Sequence, residues 1–349
     1  MAKSRKAVTM SDIAKKMDVS TVTVSKALSG QKGVSEEVRE EIIKLAREMG
    51  YKTVRGPVPG EETTGLRIGV LMPSSALTTF DSFYWRLYQA VSEKAMEKNC
   101  FTGYESLSEE MMDRKILPRL VTDKMVDGLI VIGRPGKGYG DFLKERAGMP
   151  LVFLDFYDHS MDVDCFISDS FYGTYLLTEY LLERGHEDVA FVGTLYSTDS
   201  ITDRFLGFQK AMMERGLPVP EDHVIPDRGR DVGTSENFAE LTLPKKMPTA
   251  FVCNCDTTAS ILIRNLEKRG YKVPQDVSVT GFDNYPGEKE LGAAITTYAV
   301  DLQKMAKAAV KSLIRQRNGE NVKKGIHVIE GTLLEKGSVK KLDQGSGRR

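Results

Sequence analysis

The chain has 349 residues, too many for one ordinary domain and enough for two or three. Its 49 Lys and Arg balance 49 Asp and Glu, yet residues 1–60 hold 12 Lys and Arg against 7 Asp and Glu, a net of +5, leaving 37 against 42 for the rest. A small basic head on an acidic body is the charge division of a DNA-binding module fused to another domain. There is no apolar run of about 18 residues and no hydrophobic signal core in "MAKSRKAVTM", so nothing points to export or membrane insertion, and a cytoplasmic protein is expected.

The first element is "TMSDIAKKMD", with a candidate cap at Ser11 and Ile13, Ala14 and Met17 at helical spacing. Asp18 then tolerates the left-handed backbone of a tight turn. The next stretch, "VSTVTVSKAL", alternates Val and Thr as a half-buried strand would. With Ser20 as a fresh N-cap, however, Val24, Ala27 and Leu28 fall on one helical stripe, so a second helix is expected. Thr21, Val22, Ser25 and Lys26 then point outward, a face of hydroxyls, methyls and one cation that suits a DNA groove. Ser35 and "EEVREEIIKLAREMGY" supply a third helix whose Val38, Ile42, Leu45, Ala46 and Met49 close the small core. "KTVRGPVPGEETTG", with two Pro and three Gly, has no helical or strand period and reads as a linker.

Beyond the linker, apolar runs alternate with amphipathic helices: "LRIGVLM", "FYWRLYQAVSEKAMEK", "GLIVIG", "DFLKERAG" and "PLVFLDF", then "DVAFVGT", "RFLGFQKAMMERG", "TAFVCNC", "TASILIRNLEKRG" and "DVSVTGFD". This order predicts an α/β body of two doubly wound parallel sheets with helices on both faces. Ligands in such folds sit at the carboxyl ends of strands. That rule selects Asp155, Asp256, Asp283 and the loop "LYSTDSITDR"; Asp256 serves equally well as a helix cap.

Catalytic and metal signatures are missing. "GRPGKGYG", residues 133–140, lacks the Gly-Lys-Ser/Thr ending of a phosphate loop and reads as a cleft-edge loop. There is no Gly-x-Ser-x-Gly, the four His (159, 186, 223, 327) have no metal spacing, and "CNC" at Cys253–Cys255 has no His partners, so its thiols are expected to be free. His186, between a helix and a strand, reads as structural, and Trp85 as a core or dimer contact. No cofactor, metal or catalytic residue is expected.

Taken together, "TMSDIAKKMDVSTVTVSKALSG", "VSEEVREEIIKLAREMGY", "DGLIVIG", "DRFLGF" and "VPQDVSVTGFDN" resemble the lactose/galactose-repressor (LacI/GalR) family of bacterial transcription regulators over nearly the whole chain. The resemblance implies a helix-turn-helix head over residues 1–51, an atypical hinge over 52–65 and a periplasmic-binding-protein-like core over 66–338. The core would comprise two subdomains, about 66–166 plus 297–324 and about 167–296 plus 325–338, followed by a polar tail, 339–349. It implies a homodimer on palindromic operator DNA, with a small effector in the inter-subdomain cleft. On this view Thr21, Val22 and Lys26 read bases, Thr23, Ser25, Ser11 and Ser20 complete the DNA face, and Lys52 and Arg55 touch the DNA backbone. Phe83 and Tyr84 match an aromatic pair at the cleft, Arg204 a sugar-contacting arginine, and Asp155, Asp256 and Asp283 acidic cleft positions.

Three departures stand out: "YKTVRGPVPGEETTG" lacks the family's hinge helix, Lys26 replaces a usual Arg, and Cys255 replaces a common Asn. Carboxylates, one guanidinium and an aromatic face together suit a polyol. The expected function is therefore an effector-responsive repressor of carbohydrate genes, with a plain solute-binding protein or a cytoplasmic sugar-acting enzyme as the alternatives.

Overall fold

The computed structural model describes residues 9–28, 33–49, 65–74, 82–158, 162–228, 241–285, 294–320 and 324–342. It divides into two compact units, one ending at Gly65 and the other beginning at Leu66. Most of the expected linker, with Lys52 and Arg55, lies outside the described residues.

The first unit is three helices, α1 (Met10–Met17), α2 (Thr21–Leu28) and α3 (Glu36–Glu48). Thr9, rather than Ser11, opens α1: the Asp12 carboxylate accepts from both the amide and the hydroxyl of Thr9, and Ser11 sits exposed within the first turn. The carboxylate three residues into the helix made the difference, because it ties back to Thr9 and not to Ser11. Asp18 ends α1 at φ 51°, and Ser20 accepts from the Thr23 amide at 3.0 Å to start α2. Helix wins over strand at "VSTVTVSKAL" because Val24 and Ala27 bury fully against Ile13, Ala14, Ile42 and Ala46. An alternating strand would leave half of these contacts unmade.

The second unit contains two six-stranded sheets. Its elements in chain order are β1 (Arg67–Pro73), α4 (Phe83–Met96), β2 (Phe101–Leu107), α5 (Glu109–Asp113), α6 (Arg119–Thr122), β3 (Gly128–Ile132), α7 (Tyr139–Arg146), β4 (Leu151–Leu154) and β5 (Asp164–Ser168). They continue with α8 (Ser170–Leu182), β6 (Val189–Val192), α9 (Asp199–Glu214), β7 (Val224–Ile225), β8 (Ala250–Cys253), α10 (Asp256–Lys268), β9 (Ser278–Asp283) and β10 (Thr296–Ala299), and end with α11 (Leu302–Arg317), β11 (Ile326–Ile329) and β12 (Thr332–Leu334). The first sheet runs β11-β5-β4-β3-β1-β2, all parallel; the second runs β12-β10-β9-β8-β6-β7, parallel except for β12.

Alternate residues of each strand feed opposite cores. Val189, Phe191, Ala250 and Val252 face α8 and α9, while Ala190, Val192, Phe251 and Cys253 face α10. In the first sheet α4 and α11 cover one face, and α5, α6 and α7 cover the other. A sheet covered on both sides needs strands that are apolar throughout, which is why they read as unbroken runs.

The subdomain boundaries expected near the C-terminus need correction. β10 pairs with β9, Thr296 opposite Thr280, and so belongs to the second sheet; β11 pairs with β5, Ile326 opposite Cys165, and belongs to the first. Buried Asp164 fixes the return of β11, its carboxylate accepting from the Gly325 amide at 3.2 Å, from Ser312 and from Gln316, with His327 Nε2 at 3.1 Å. Nor does the polar tail begin at residue 339: the Lys340 amide donates to Ser278 Oγ and the Leu342 amide to the Arg184 carbonyl, tying both into the second half.

Gly207 lets α9 lie directly on α8, where a Cβ would collide with the Phe171 carbonyl oxygen and come within 3.1 Å of the Tyr175 amide. Gly207→Ala should therefore cost about 1–3 kcal/mol, since backbone on both sides cannot yield locally. Urea unfolding of the full chain measures it; an unchanged midpoint refutes the close approach.

Candidate functional site

In the first unit, Thr21 and Val22 are exposed, Val22 at 60%, while Thr23, Ser25 and Lys26 are half-buried. The Thr23 hydroxyl is hydrogen-bonded to Ser20 Oγ at 2.9 Å, so both hydroxyls serve the cap as well as the surface. The Lys26 ammonium lies beside Gly33 in the turn before α3. Thr21 and Val22 thus project furthest from this face.

In the second unit, four of the six residues expected at a cleft interact with one another. Tyr84 comes from the first turn of α4 and stands against Gly133, just past β3. Asp155 follows β4 in the left-handed region, φ 65°. Burial pushes the Asp155 carboxyl up to about 6 against the opposing pull of Arg204 and a hydrogen bond from Tyr84, and burial together with Asp155 holds the Tyr84 hydroxyl firmly protonated.

From the other side comes Arg204 of α9, 7% exposed, donating to the Asn254 carbonyl at 2.7 Å and stacked 3.9 Å from the centre of the Phe282 ring. Asp283 closes β9 at φ 89°. Burial lifts its carboxyl to about 7, with Arg204 and the Tyr285 amide opposing and Asp155 adding to the rise. The remaining two expected residues sit differently. Phe83 packs edge-on to Tyr84 at 5.5 Å and against the core under α4, and Asp256 is 1% exposed at the start of α10.

The residues that position this cleft escape a reading by strand ends. Asp227, 2% exposed, accepts from the Thr194 amide and hydroxyl, from Thr258 Oγ1 at 2.7 Å, from Asn254 Nδ2 at 2.7 Å and from the Arg228 fork at 2.8 and 3.2 Å. Burial pushes it up, but Arg228, Thr258 and Asn254 outweigh burial and hold its carboxyl down at about 2. Asp227 does follow a strand, but β7 has only two residues, too few for a sequence pattern.

Two contacts bridge the halves at the rim. Arg134, in the "GRPGKGYG" loop, donates to the Asp199 carboxylate at the start of α9 and to the Tyr157 carbonyl at 2.5 Å, and Arg86 of α4 lies 4.8 Å from the Tyr285 ring centre. A small recess open to solvent and lined by Asp155, Tyr157, Ser168, Ser170, Asp199 and Asp203 lies beside Asp155. Trp85 lies away from the cleft, with Tyr88 and Tyr104. His186 is structural: its ring nitrogens meet Thr249 Oγ1 and the Lys340 carbonyl, each at 3.1 Å. No group of three or more His, Cys, Asp or Glu that could hold a metal occurs among the described residues, and none of their helices is long and apolar enough to cross a membrane.

A model for bacterial regulatory proteins of the lacI family matches residues 9–53, and one for a periplasmic-binding-protein-like domain matches 178–339. The HTH-type transcriptional repressor PurR of Vibrio parahaemolyticus serotype O3:K6 is 28% identical over 342 residues, spanning 96% of this chain and 99% of that protein. Among solved structures, the lac repressor dimer bound to operator and the anti-inducer ONPF aligns with a TM-score of 0.64 at 20% identity, covering 96% of this chain and 100% of that one. The complex of the transcriptional regulator CelR with cellobiose aligns with 0.66 at 20%, covering 95% and 99%. A LacI family transcriptional regulator from Enterococcus faecium with bound ribose aligns with 0.63 at 24%, covering 79% and 100%. At these identities the structural likeness is one of fold.

Because Asp227 is ionised in the fold well below the ordinary carboxylate range, its stabilisation is complete above about pH 4 and fades as pH falls toward 2. Asp227→Asn should lower stability at pH 7 by about 2 kcal/mol and flatten this acid limb. Denaturant unfolding between pH 2 and pH 7 checks both; parallel curves for the two proteins contradict the assignment.

Proposed function

We propose that the chain, with its lacI-family head and periplasmic-binding-protein-like core and its likeness to PurR repressors, is a LacI-family DNA-binding transcriptional repressor rather than an enzyme, a cytoplasmic homodimer whose operator affinity is set by a polyhydroxylated effector, a sugar, held between the two sheets of the core. The observation that carries this reading is the meeting of Tyr84 and Asp155 from one side with Arg204 and Asp283 from the other. Carboxyl groups take hydroxyl protons, a guanidinium stacked on a ring donates to hydroxyl oxygens, and an aromatic face covers the C–H side of a sugar. The cellobiose and ribose complexes of two fold neighbours support the same ligand class. Carbohydrate uptake or catabolism genes are the corresponding targets.

The head reads a palindromic operator through Thr21, Val22, Thr23, Ser25 and Lys26, because one eight-residue helix covers too few bases alone. Effector and DNA affect each other by linkage: each favours one arrangement of the core, and each changes the other's affinity by the same factor.

Two measurements test this. Lys26→Ala should weaken operator binding by about 1–3 kcal/mol more than non-specific binding if its ammonium reaches a base edge, and equal losses on both DNAs make Lys26 a phosphate contact. Calorimetry of the full chain with a panel of mono- and disaccharides should find a ligand whose binding Arg204→Ala weakens by about 2 kcal/mol or more while operator affinity stays unchanged. A panel of nucleobases, planar ligands that the same ring faces and carboxyl groups suit, is the control. Binding from that panel in place of the sugars overturns the effector class.

A further inference from the structure

Asp256 has no place in the cleft as described, and its surroundings are unusual for a carboxylate. It is 1% exposed, and neither side-chain oxygen has a well-formed hydrogen bond to any described residue. The carboxyl group lies against Gly281 in β9, where a Cβ would overlap Oδ1 and stand 3.0 Å from Cγ. Two residues further along the same strand is Asp283, whose carboxylate accepts from the Tyr285 amide at 2.9 Å and from the Asp256 amide. An ionised carboxylate cannot remain buried and unpartnered without a large cost, and a second carboxylate beside it raises that cost.

We propose that Asp256 is a neutral carboxylic acid that donates its proton to Asp283, so that the two work as one hydrogen-bonded pair and Asp256 positions the acceptor that Asp283 turns toward the cleft. This accounts for the bare backbone at Gly281, which admits the acid into contact with β9. The charged and titratable groups around the pair agree with it. Asp155 faces Asp283 from across the cleft and Arg204 from its own side, Cys255 and Cys253 flank Asp256 with thiols that burial keeps protonated, and the Lys336 charge also acts on Asp256. Arg228 is committed to Asp227. Burial first and Asp283 second push the Asp256 carboxyl far up, with the Thr297 hydroxyl, Lys336 and the Tyr285 amide opposing less strongly. The positioning role rests on the cleft assigned above; the shared proton does not, because it involves only the protein's own groups.

The sign follows from linkage. The fold holds a proton that the unfolded chain releases near pH 4, so this pair's contribution to stability is complete below about pH 4, declines as pH rises above it and levels off only where the folded pair itself gives up the proton. Asp256→Asn keeps the shape and the donor but cannot titrate. The experiment is thermal unfolding of the full-length protein and of Asp256→Asn from pH 5 to pH 9. The variant should gain on the wild type by about 2 °C or more between those limits. Infrared spectra at pH 8 should show a carboxylic-acid C=O band that loses intensity in Asp256→Asn. Asp283→Asn, which takes away the acceptor and the second charge, should reduce the same pH dependence without abolishing it, even if Asp256→Asn folds poorly. A constant difference in midpoint at every pH, or an unchanged infrared band, overturns the proposal. A shared proton accompanied by failure of every sugar to bind leaves the pair intact and refutes only the effector class.

Discussion

Burying an ionised carboxylate is among the costliest acts in folding unless every lone pair is used, and Asp227 is where this chain does it. Thr194 at the end of β6, Arg228 after β7, Asn254 after β8 and Thr258 in α10 all converge on that one group. The placement of the cleft depends on this knot. Asn254 is oriented by giving its amide to Asp227 and to the Val192 carbonyl, and its own backbone carbonyl then receives Arg204. Arg204 is thereby laid over Phe282. The cleft arginine is thus aimed through two intermediaries from Asp227, an arrangement in which supporting contacts fix the geometry of the group they hold.

How far the sequence reveals this depends on whether the signal is local. The helix-turn-helix was readable because caps, a turn residue and a helical stripe agree, outweighing the strand propensity of Val and Thr. β1, β3, β4, β6 and β8 were readable as near-continuous apolar runs, and β9 by the Val and Phe set among small residues in "SVTGFD". β2, half-buried at a sheet edge with the sequence "FTGYESL", carries no such run, and α8, "SFYGTYLLTEYLL", is apolar nearly all round and so shows no stripe. The exchange of β10 and β11 between sheets is a matter of pairing partners far apart in sequence. Asp164 decides part of it through contacts with residues about 150 positions away, and no local pattern encodes that. Strand ends pointed to Asp155, Asp256 and Asp283 without distinguishing their roles. Burial separates them: Asp155 and Asp283 are partly open, and Asp256 is sealed.

The same separation bears on how the core can respond to a ligand. Only interactions that differ between two arrangements shift their equilibrium. Arg134 with Asp199, and Arg86 with Tyr285, join the two halves at the rim through the protein's own side chains. These contacts lower the free energy a ligand must supply to hold the halves together, and to the same extent they reduce the contrast between the liganded and empty states. The Arg134–Asp199 pair is partly exposed, with side chains 43% and 32% accessible, so salt and solvent weaken it, and its contribution to closure is small. The buried groups at the cleft centre carry the larger share, because charges there are poorly screened and a ligand that replaces missing solvation changes their energy most. On the proposed reading, the sensitivity of the core to a ligand lies at Arg204, Asp155 and Asp283, and the rim contacts set the baseline from which a response is measured.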